Sequence, residues 1–203
     1  MIEAVIFDFD GVIGDTYDVF RDFLVKMFRM SPEKAEQYLQ KSATQLPGHK
    51  KHEWMISLLT KWFYYRFKRV IRKNRNSLLF ERAVSEIEEL SLPKGILTLS
   101  TRGICEEILA EKADLFEFIY GRDQYRKKSS QVKKILQDYN LGDDEVLFVT
   151  DTVADILEVQ QTLPLSQIYA TSWGFNSREQ LLEVLPESQV LQTSLREIPA
   201  LSK

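Results

Sequence analysis

The sequence predicts an α/β fold in which a doubly wound parallel sheet carries helices on both faces and is interrupted, after its first strand, by an all-helical insertion. Short β-branched or aromatic runs alternate with segments of helical period, the pattern of strand–helix–strand units. Most of those runs are apolar throughout, as strands buried on both faces require. Between Asp15 and Leu92 the alternation stops and no strand pattern occurs. A chain of 203 residues, 44% hydrophobic and 28% charged, is long enough to bury such a core as one domain plus an insertion.

The first strand is expected at Ile2 to Phe7. The insertion reads as four helices, at about 16–29, 32–43, 51–74 and 78–91, with breaks at Ser31-Pro32 and Leu46-Pro47-Gly48. Further strands follow at Ile96 to Leu99, Phe118 to Tyr120, Val146 to Val149 and Gln167 to Ala170, with helices beginning near Ile104, Ser130, Val153 and Ser177. Residues 1–14 and 92–203 are thus expected to form the α/β core, and 15–91 the helical insertion. The net charge of −3 hides an asymmetry, because residues 50–82 hold ten Lys/Arg against two acids. Cys105, the single cysteine, cannot form an internal disulfide, and no apolar run approaches the ~20 residues that span a membrane. Met1-Ile2-Glu3-Ala4 lacks the basic flank and long apolar stretch of a secretory signal, so the expected location is the cytoplasm, away from membranes.

Chemistry concentrates where strands end. The first strand runs into Asp8-Phe9-Asp10-Gly11-Val12, and the strand at Val146 runs into Thr150-Asp151-Thr152-Val153-Ala154-Asp155. The carboxyl edge of an open α/β sheet is where ligands bind. Asp-Gly and Asp-Thr taken singly are ordinary turn and cap residues. On adjacent strands, though, they would gather Asp8, Asp10 and Asp151, whose mutual repulsion calls for a hard dication with oxygen ligands, Mg²⁺ above all. The strand at Ile96 ends in Ser100-Thr101-Arg102-Gly103, a hydroxyl and backbone amides at a helix start, where an anion is favoured. The loop from Gly121 to Ser130 carries Lys127 and Lys128, either of which can reach the same edge and neutralise a phosphoryl group.

Taken in order, DxDGV, a strand ending in Ser/Thr, a lysine and DxxxD resemble the four motifs of the haloacid dehalogenase superfamily, whose core is Rossmann-like. The resemblance covers essentially the whole chain, including Tyr169-Ala170-Thr171-Ser172-Trp173-Gly174-Phe175, which looks like the family's last core strand and loop. It implies a Mg²⁺-dependent phosphatase acting on a small phosphate ester. Asp8 would be the nucleophile and Asp10 the general acid and base, with Ser100 and Lys128 on the phosphoryl oxygens. Gly11 and Thr101 would be further phosphate contacts. Asp8, Asp10 and Asp151 would hold Mg²⁺, with Asp155 supporting either metal or lysine. The family spacing to Leu141-Gly142 favours Lys128 over Lys127, and Ser100 is preferred to Thr101 because it ends the apolar run. Asp10 argues against the dehalogenase branch, which carries no second acid there. The family usually has Gly just before the fourth-motif aspartate, where this chain has Thr150, a β-branched residue expected to crowd the site and bear on rate.

The insertion resembles the family's helical cap, which covers the sheet edge and selects the leaving group. Leu46-Pro47-Gly48-His49-Lys50-Lys51 resembles the cap loop that reaches the substrate, making His49 and Lys51 candidate contacts to an anionic leaving group. Met55, Leu58, Leu59, Trp62, Phe63, Phe67, Val70 and Ile71 form one apolar stripe, read as cap core. Lys61, Tyr64, Lys68, Arg69, Arg72 and Lys73 form the opposite face, read as solvated in preference to nucleic-acid-binding. A phosphosugar mutase shares every core residue. A phosphoryl-accepting signalling domain places its acceptor on a middle strand and has no such insertion. A member that has lost activity and only binds is the remaining alternative.

Overall fold

The computed structural model describes residues 1–44, 65, 67–73, 77–122 and 127–201. Its centre is a six-stranded, all-parallel sheet in the order β3-β2-β1-β4-β5-β6. The strands are β1 (Ala4–Phe7), β2 (Lys94–Leu97), β3 (Phe118–Tyr120), β4 (Val146–Thr150), β5 (Ile168–Thr171) and β6 (Val190–Leu191). Val5 pairs with Lys94 on one side and Leu147 on the other, so β1 lies between β2 and β4. The strand order reverses at this point, which in doubly wound sheets opens the ligand-binding crevice.

Alternate side chains of β1 enter opposite cores. Val5 and Phe7 pack with Ile96, Leu147 and Val149 under α4 (Glu81–Glu88) and α5 (Arg102–Leu109). Ala4 and Ile6 pack with Leu97, Val146 and Phe148 under α6 (Lys128–Tyr139) and α7 (Val153–Val159). β2 starts two residues earlier than its apolar run. Gly95 is required there, because a Cβ would lie 2.1 Å from the Phe118 ring. Two-residue β6 is too short to give a sequence pattern and was not expected. It follows α8 (Arg178–Leu182), whose start is fixed by a capping box between Ser177 and Gln180.

The insertion contributes α1 (Tyr17–Phe28), α2 (Pro32–Thr44) and helical residues 67–73, here α3. Leu24, Ala35 and Leu39 join α1 to α2, while Phe67 of α3 stacks on Phe20 at 4.7 Å and meets Phe23 edge-on at 5.1 Å. Ile13–Asp15 and Leu78–Phe80 lie antiparallel. The Asp15 amide donates to the Leu78 carbonyl (3.1 Å) and the Phe80 amide to that of Ile13 (2.9 Å). The chain leaves and rejoins the core through this paired crossing. Helix α4, assigned by sequence to the insertion, follows the crossing, and its Ala83, Val84 and Ile87 join a buried cluster that holds Val5, Phe7 and Ile96 of the sheet as well as Phe23 and Phe67 of the insertion. Its Glu86 accepts from Ser194 Oγ and the Leu195 amide, both at 2.7 Å. Helical period alone does not say which body an amphipathic helix covers. No described helix is long and apolar enough to cross a membrane.

Candidate active site

Asp8 is the first residue beyond β1. Its amide extends the ladder to the Val149 carbonyl (2.7 Å), and its Oδ1 accepts from the Phe9 amide (2.7 Å), which fixes the side chain at the sheet edge. Oδ2 lies 2.6 Å from Lys128 Nζ. The chain then turns sharply, with Gly11 at φ 78°, a left-handed conformation suited to glycine. A Cβ at Gly11 would lie 1.9 Å from Asp151 Oδ2, so the turn also needs glycine for its close approach to the second acidic loop. The Gly11 amide is occupied by the Gly14 carbonyl (2.8 Å).

Asp10 turns its carboxylate into a group of hydroxyls. Oδ1 accepts from Thr16 Oγ1 (2.8 Å), and Oδ2 accepts from Ser100 Oγ (2.5 Å) and Thr98 Oγ1 (3.4 Å). Burial pushes its pKa up, and the hydroxyls from Ser100 and Thr16 only partly offset this. Thr98 and Thr16 were not singled out by sequence. The usable signal for Thr98 was a polar residue at the end of an apolar strand. Thr101, at the N-cap of α5, makes no side-chain cap bond, and its buried hydroxyl has no partner.

Lys128 opens α6 and is 1% exposed. Its Nζ bridges Asp8 Oδ2 (2.6 Å) and Asp155 Oδ2 (2.7 Å). Burial favours loss of its proton, but the Asp155 and Asp8 carboxylates outweigh burial and hold Lys128 above the ordinary lysine range. Lys127 is exposed. Asp155, in the first turn of α7, accepts from Lys128 and from Thr150 Oγ1 (3.0 Å). Burial opposes its ionisation, yet the Lys128 ammonium keeps its pKa below the usual carboxylate range. Asp155 thus faces the lysine.

Asp151 follows β4 and is fully buried. Oδ2 accepts from the Phe175 amide (2.7 Å), whereas Oδ1 has no partner. Burial pushes its pKa up to about 8, against the pull of the Phe175 amide. Burial also drives Asp8 well above the carboxylate range, with Lys128 opposing. Asp8, Asp10 and Asp151 therefore share one sheet edge. Among the described residues, however, no three His, Cys, Asp or Glu side chains stand as a ready metal cage. At that edge Asp8 leans on Lys128 and Asp10 on hydroxyls, while Asp151 lies close enough to both for their charges to raise one another's pKa. The orphaned Asp151 Oδ1, buried beside raised carboxyls, is nevertheless the oxygen donor a hard cation takes.

Helix α2 reaches this edge through Gln40, whose Nε2 donates to the Phe175 carbonyl (2.9 Å), and the Tyr17 ring meets Phe175 edge-on at 5.1 Å. Phe175 thus touches both the insertion and Asp151, a role with no sequence signature. Part of the basic stripe is engaged as well. Glu107 of α5 accepts from Arg72 Nε (2.9 Å) and lies 3.3 Å from Lys68 Nζ. Arg69 and Lys73 are exposed, while His49, Lys51, Lys61 and Tyr64 lie outside the described residues. A cavity of about 510 Å³, bordered by Asp15, Asp18, Asp22, Phe23, Lys26 and Val70, opens between α1 and α3; none of the strand-end carboxylates lines it.

The acidic edge thus stands where a doubly wound parallel sheet reverses its strand order. Residues 5–162 match the family of haloacid dehalogenase-like hydrolases, and the chain belongs to that family. Among solved structures it is similar to a haloacid dehalogenase-like family hydrolase from Streptococcus pneumoniae (TM-score 0.73, 21% identity, 99% of this chain and 97% of that one). It is also similar to CbbY from Rhodobacter sphaeroides in complex with phosphate (TM-score 0.72, 15% identity, 98% and 100%). A third similar structure is a predicted phosphoglycolate phosphatase from Haemophilus somnus (TM-score 0.72, 13% identity, 100% and 98%). Comparison with curated proteins gives no significant match.

Proposed function

We propose that this chain is a cytoplasmic, Mg²⁺-dependent phosphatase that hydrolyses a small phosphorylated metabolite through an aspartyl phosphate on Asp8. The observation that carries the reading is the placement of Asp8. One of its oxygens rests on a buried lysine, the other on a backbone amide, and a second, hydroxyl-bound carboxyl stands two residues away. CbbY, similar in fold, is described bound to phosphate and to xylulose-(1,5)bisphosphate, which supports a phosphate ester as the substrate class here.

In the first step an Asp8 oxygen forms a bond to phosphorus as the bond from phosphorus to the ester oxygen breaks. Asp10, whose burial favours its protonated form, gives its proton to the departing oxygen. In the second step the Asp10 carboxylate takes a proton from water. The water oxygen then bonds to phosphorus, and the bond to Asp8 breaks, returning both side chains to their starting states. Lys128 and Ser100 compensate charge on the phosphoryl oxygens throughout. Asp8, Asp151 and the backbone at Asp10 would hold Mg²⁺. The chemistry Mg²⁺ would supply there is positive charge that offsets the phosphoryl group and the Asp8 and Asp151 carboxylates.

The paired crossing at Ile13–Asp15 and Leu78–Phe80 supports the insertion as a cap that selects the leaving group. The test is turnover of an aryl phosphate with Mg²⁺, with EDTA, and with Mg²⁺ restored. The expected result is activity that disappears and returns. Full turnover in EDTA would contradict the metal assignment, and none under any condition would contradict the phosphatase.

A further inference from the structure

We propose that Thr150 is a positioning residue, whose hydroxyl fixes the Asp155 carboxylate and through it the ammonium of Lys128 against Asp8. This rests on the phosphatase reading for its catalytic consequence, although its structural content stands apart from it. Thr150 is the last residue of β4 and is fully buried. Its Oγ1 accepts from the Thr152 amide (3.4 Å) and lies 3.0 Å from Asp155 Oδ2. An ionised carboxylate only accepts, and one hydroxyl lone pair already faces an amide, so the hydroxyl proton points to Asp155. The same Oδ2 receives Lys128 Nζ at 2.7 Å, and that ammonium spans to Asp8 Oδ2 at 2.6 Å.

The result is a continuous chain of donors and acceptors from the end of β4 to the edge of β1. A β-branched side chain on a strand has a stiff χ1, so Thr150 holds its oxygen in place with little freedom to lose. Asp155 sits on the first turn of α7, where the Thr152 side chain also meets its carboxyl, and Thr150 adds the donor aimed at Oδ2, the oxygen that Lys128 takes. Lys128, with three donors and a long stem, does not define the orientation of that carboxylate by itself. The residue that the resemblance marks as a departure from Gly therefore has a use in this chain. It adds a donor that glycine lacks, and it does not merely fill space. A site held by locked supporting side chains keeps its reacting groups within the narrow tolerance that in-line transfer needs.

The experiment compares Thr150→Val, which keeps volume and branching but removes the donor, with Thr150→Ser, which keeps the donor. The first readout is the ¹⁵N-detected ammonium signal of Lys128 in the full-length protein, assigned by its loss in Lys128→Met. The expected result is a Lys128 signal that shifts and exchanges faster with water in Thr150→Val and returns toward the wild type in Thr150→Ser. An unchanged signal in Thr150→Val, or an equal change in both variants, overturns the proposal. The second readout is turnover of p-nitrophenyl phosphate with Mg²⁺. Thr150→Val should lower kcat about ten-fold with little change in KM, and Thr150→Ser should restore most of it. Equal kcat in Val and wild type removes the catalytic consequence. A wild type with no turnover defeats the phosphatase reading, and the ammonium comparison still decides the positioning claim.

Discussion

Asp8 and Asp10 stand two residues apart and have different partners, which is why one is read as nucleophile and the other as acid and base. Asp8→Asn should abolish turnover, since an amide oxygen cannot yield the acyl phosphate. Asp10→Asn should slow alkyl esters by about 10²–10⁴-fold and aryl esters much less, because a phenolate leaves without a proton. Equal losses on both ester types would remove the acid role. The two lysines separate as sharply. Lys128→Met should leave Asp8 and Asp155 buried without their cation, lowering turnover severely and stability by roughly 3–5 kcal/mol by thermal or denaturant unfolding. Lys127→Ala, on an exposed residue, should change neither, and a large loss there would reverse the assignment. The acidic residues were readable from sequence because strand ends are marked by a change from apolar to polar. Ser100 was readable too, but the other two hydroxyls around Asp10 were not, since Thr16 and Thr98 come from different parts of the chain and meet only in the fold.

Among the elements, one tie between insertion and core, as far as the described residues show, is chemically specific. Gln40 holds the Phe175 carbonyl while the Phe175 amide holds Asp151, so α2 is tied to the loop beside the acidic edge. Gln40→Ala should loosen the insertion and raise KM for the natural ester several-fold. Hydrolysis of a small aryl phosphate, which needs little from the cap, should keep its kcat. An unchanged KM would show that this tie does not govern substrate binding. Arg72→Ala, by contrast, removes a half-exposed ion pair with Glu107 and should shift stability by no more than about 1 kcal/mol. Strand and helix identities followed from period and from runs apolar on both faces. The side to which α4 belongs does not follow from period, because Ala83, Val84 and Ile87 suit a cap interior as well as the shared cluster of sheet and insertion residues they join. β6 escaped notice because two residues carry no period.

For the whole molecule, the reversal of strand order between β1 and β4 puts the residues after β2 and β4 on either side of Asp8, which gathers the site from distant segments. Gathering so many acids in a buried place weakens the metal-free protein. Asp151, with its pKa pushed up to about 8, is ionised less readily folded than unfolded. Its contribution therefore destabilises the fold progressively as pH rises from the ordinary carboxylate range toward that value. Mg²⁺ at about 100 times its dissociation constant should add about 2.7 kcal/mol, read as a rise in Tm that EDTA reverses. Asp151→Asn should abolish that rise without lowering the metal-free Tm, because the amide can still accept from Phe175. A Tm indifferent to Mg²⁺ would count against the cation.

The covalent step on Asp8 is the centre of the account, and it can be observed directly. Asp10→Asn with Mg²⁺ and an aryl phosphate should let the first step proceed while starving the second of its base. Acid quenching within one turnover, followed by proteolysis and mass spectrometry, should then find a single added phosphoryl group on the peptide that carries Asp8. Phosphate released at an undiminished rate with no phosphoryl group on that peptide, or a phosphoryl group located on another side chain, would contradict it.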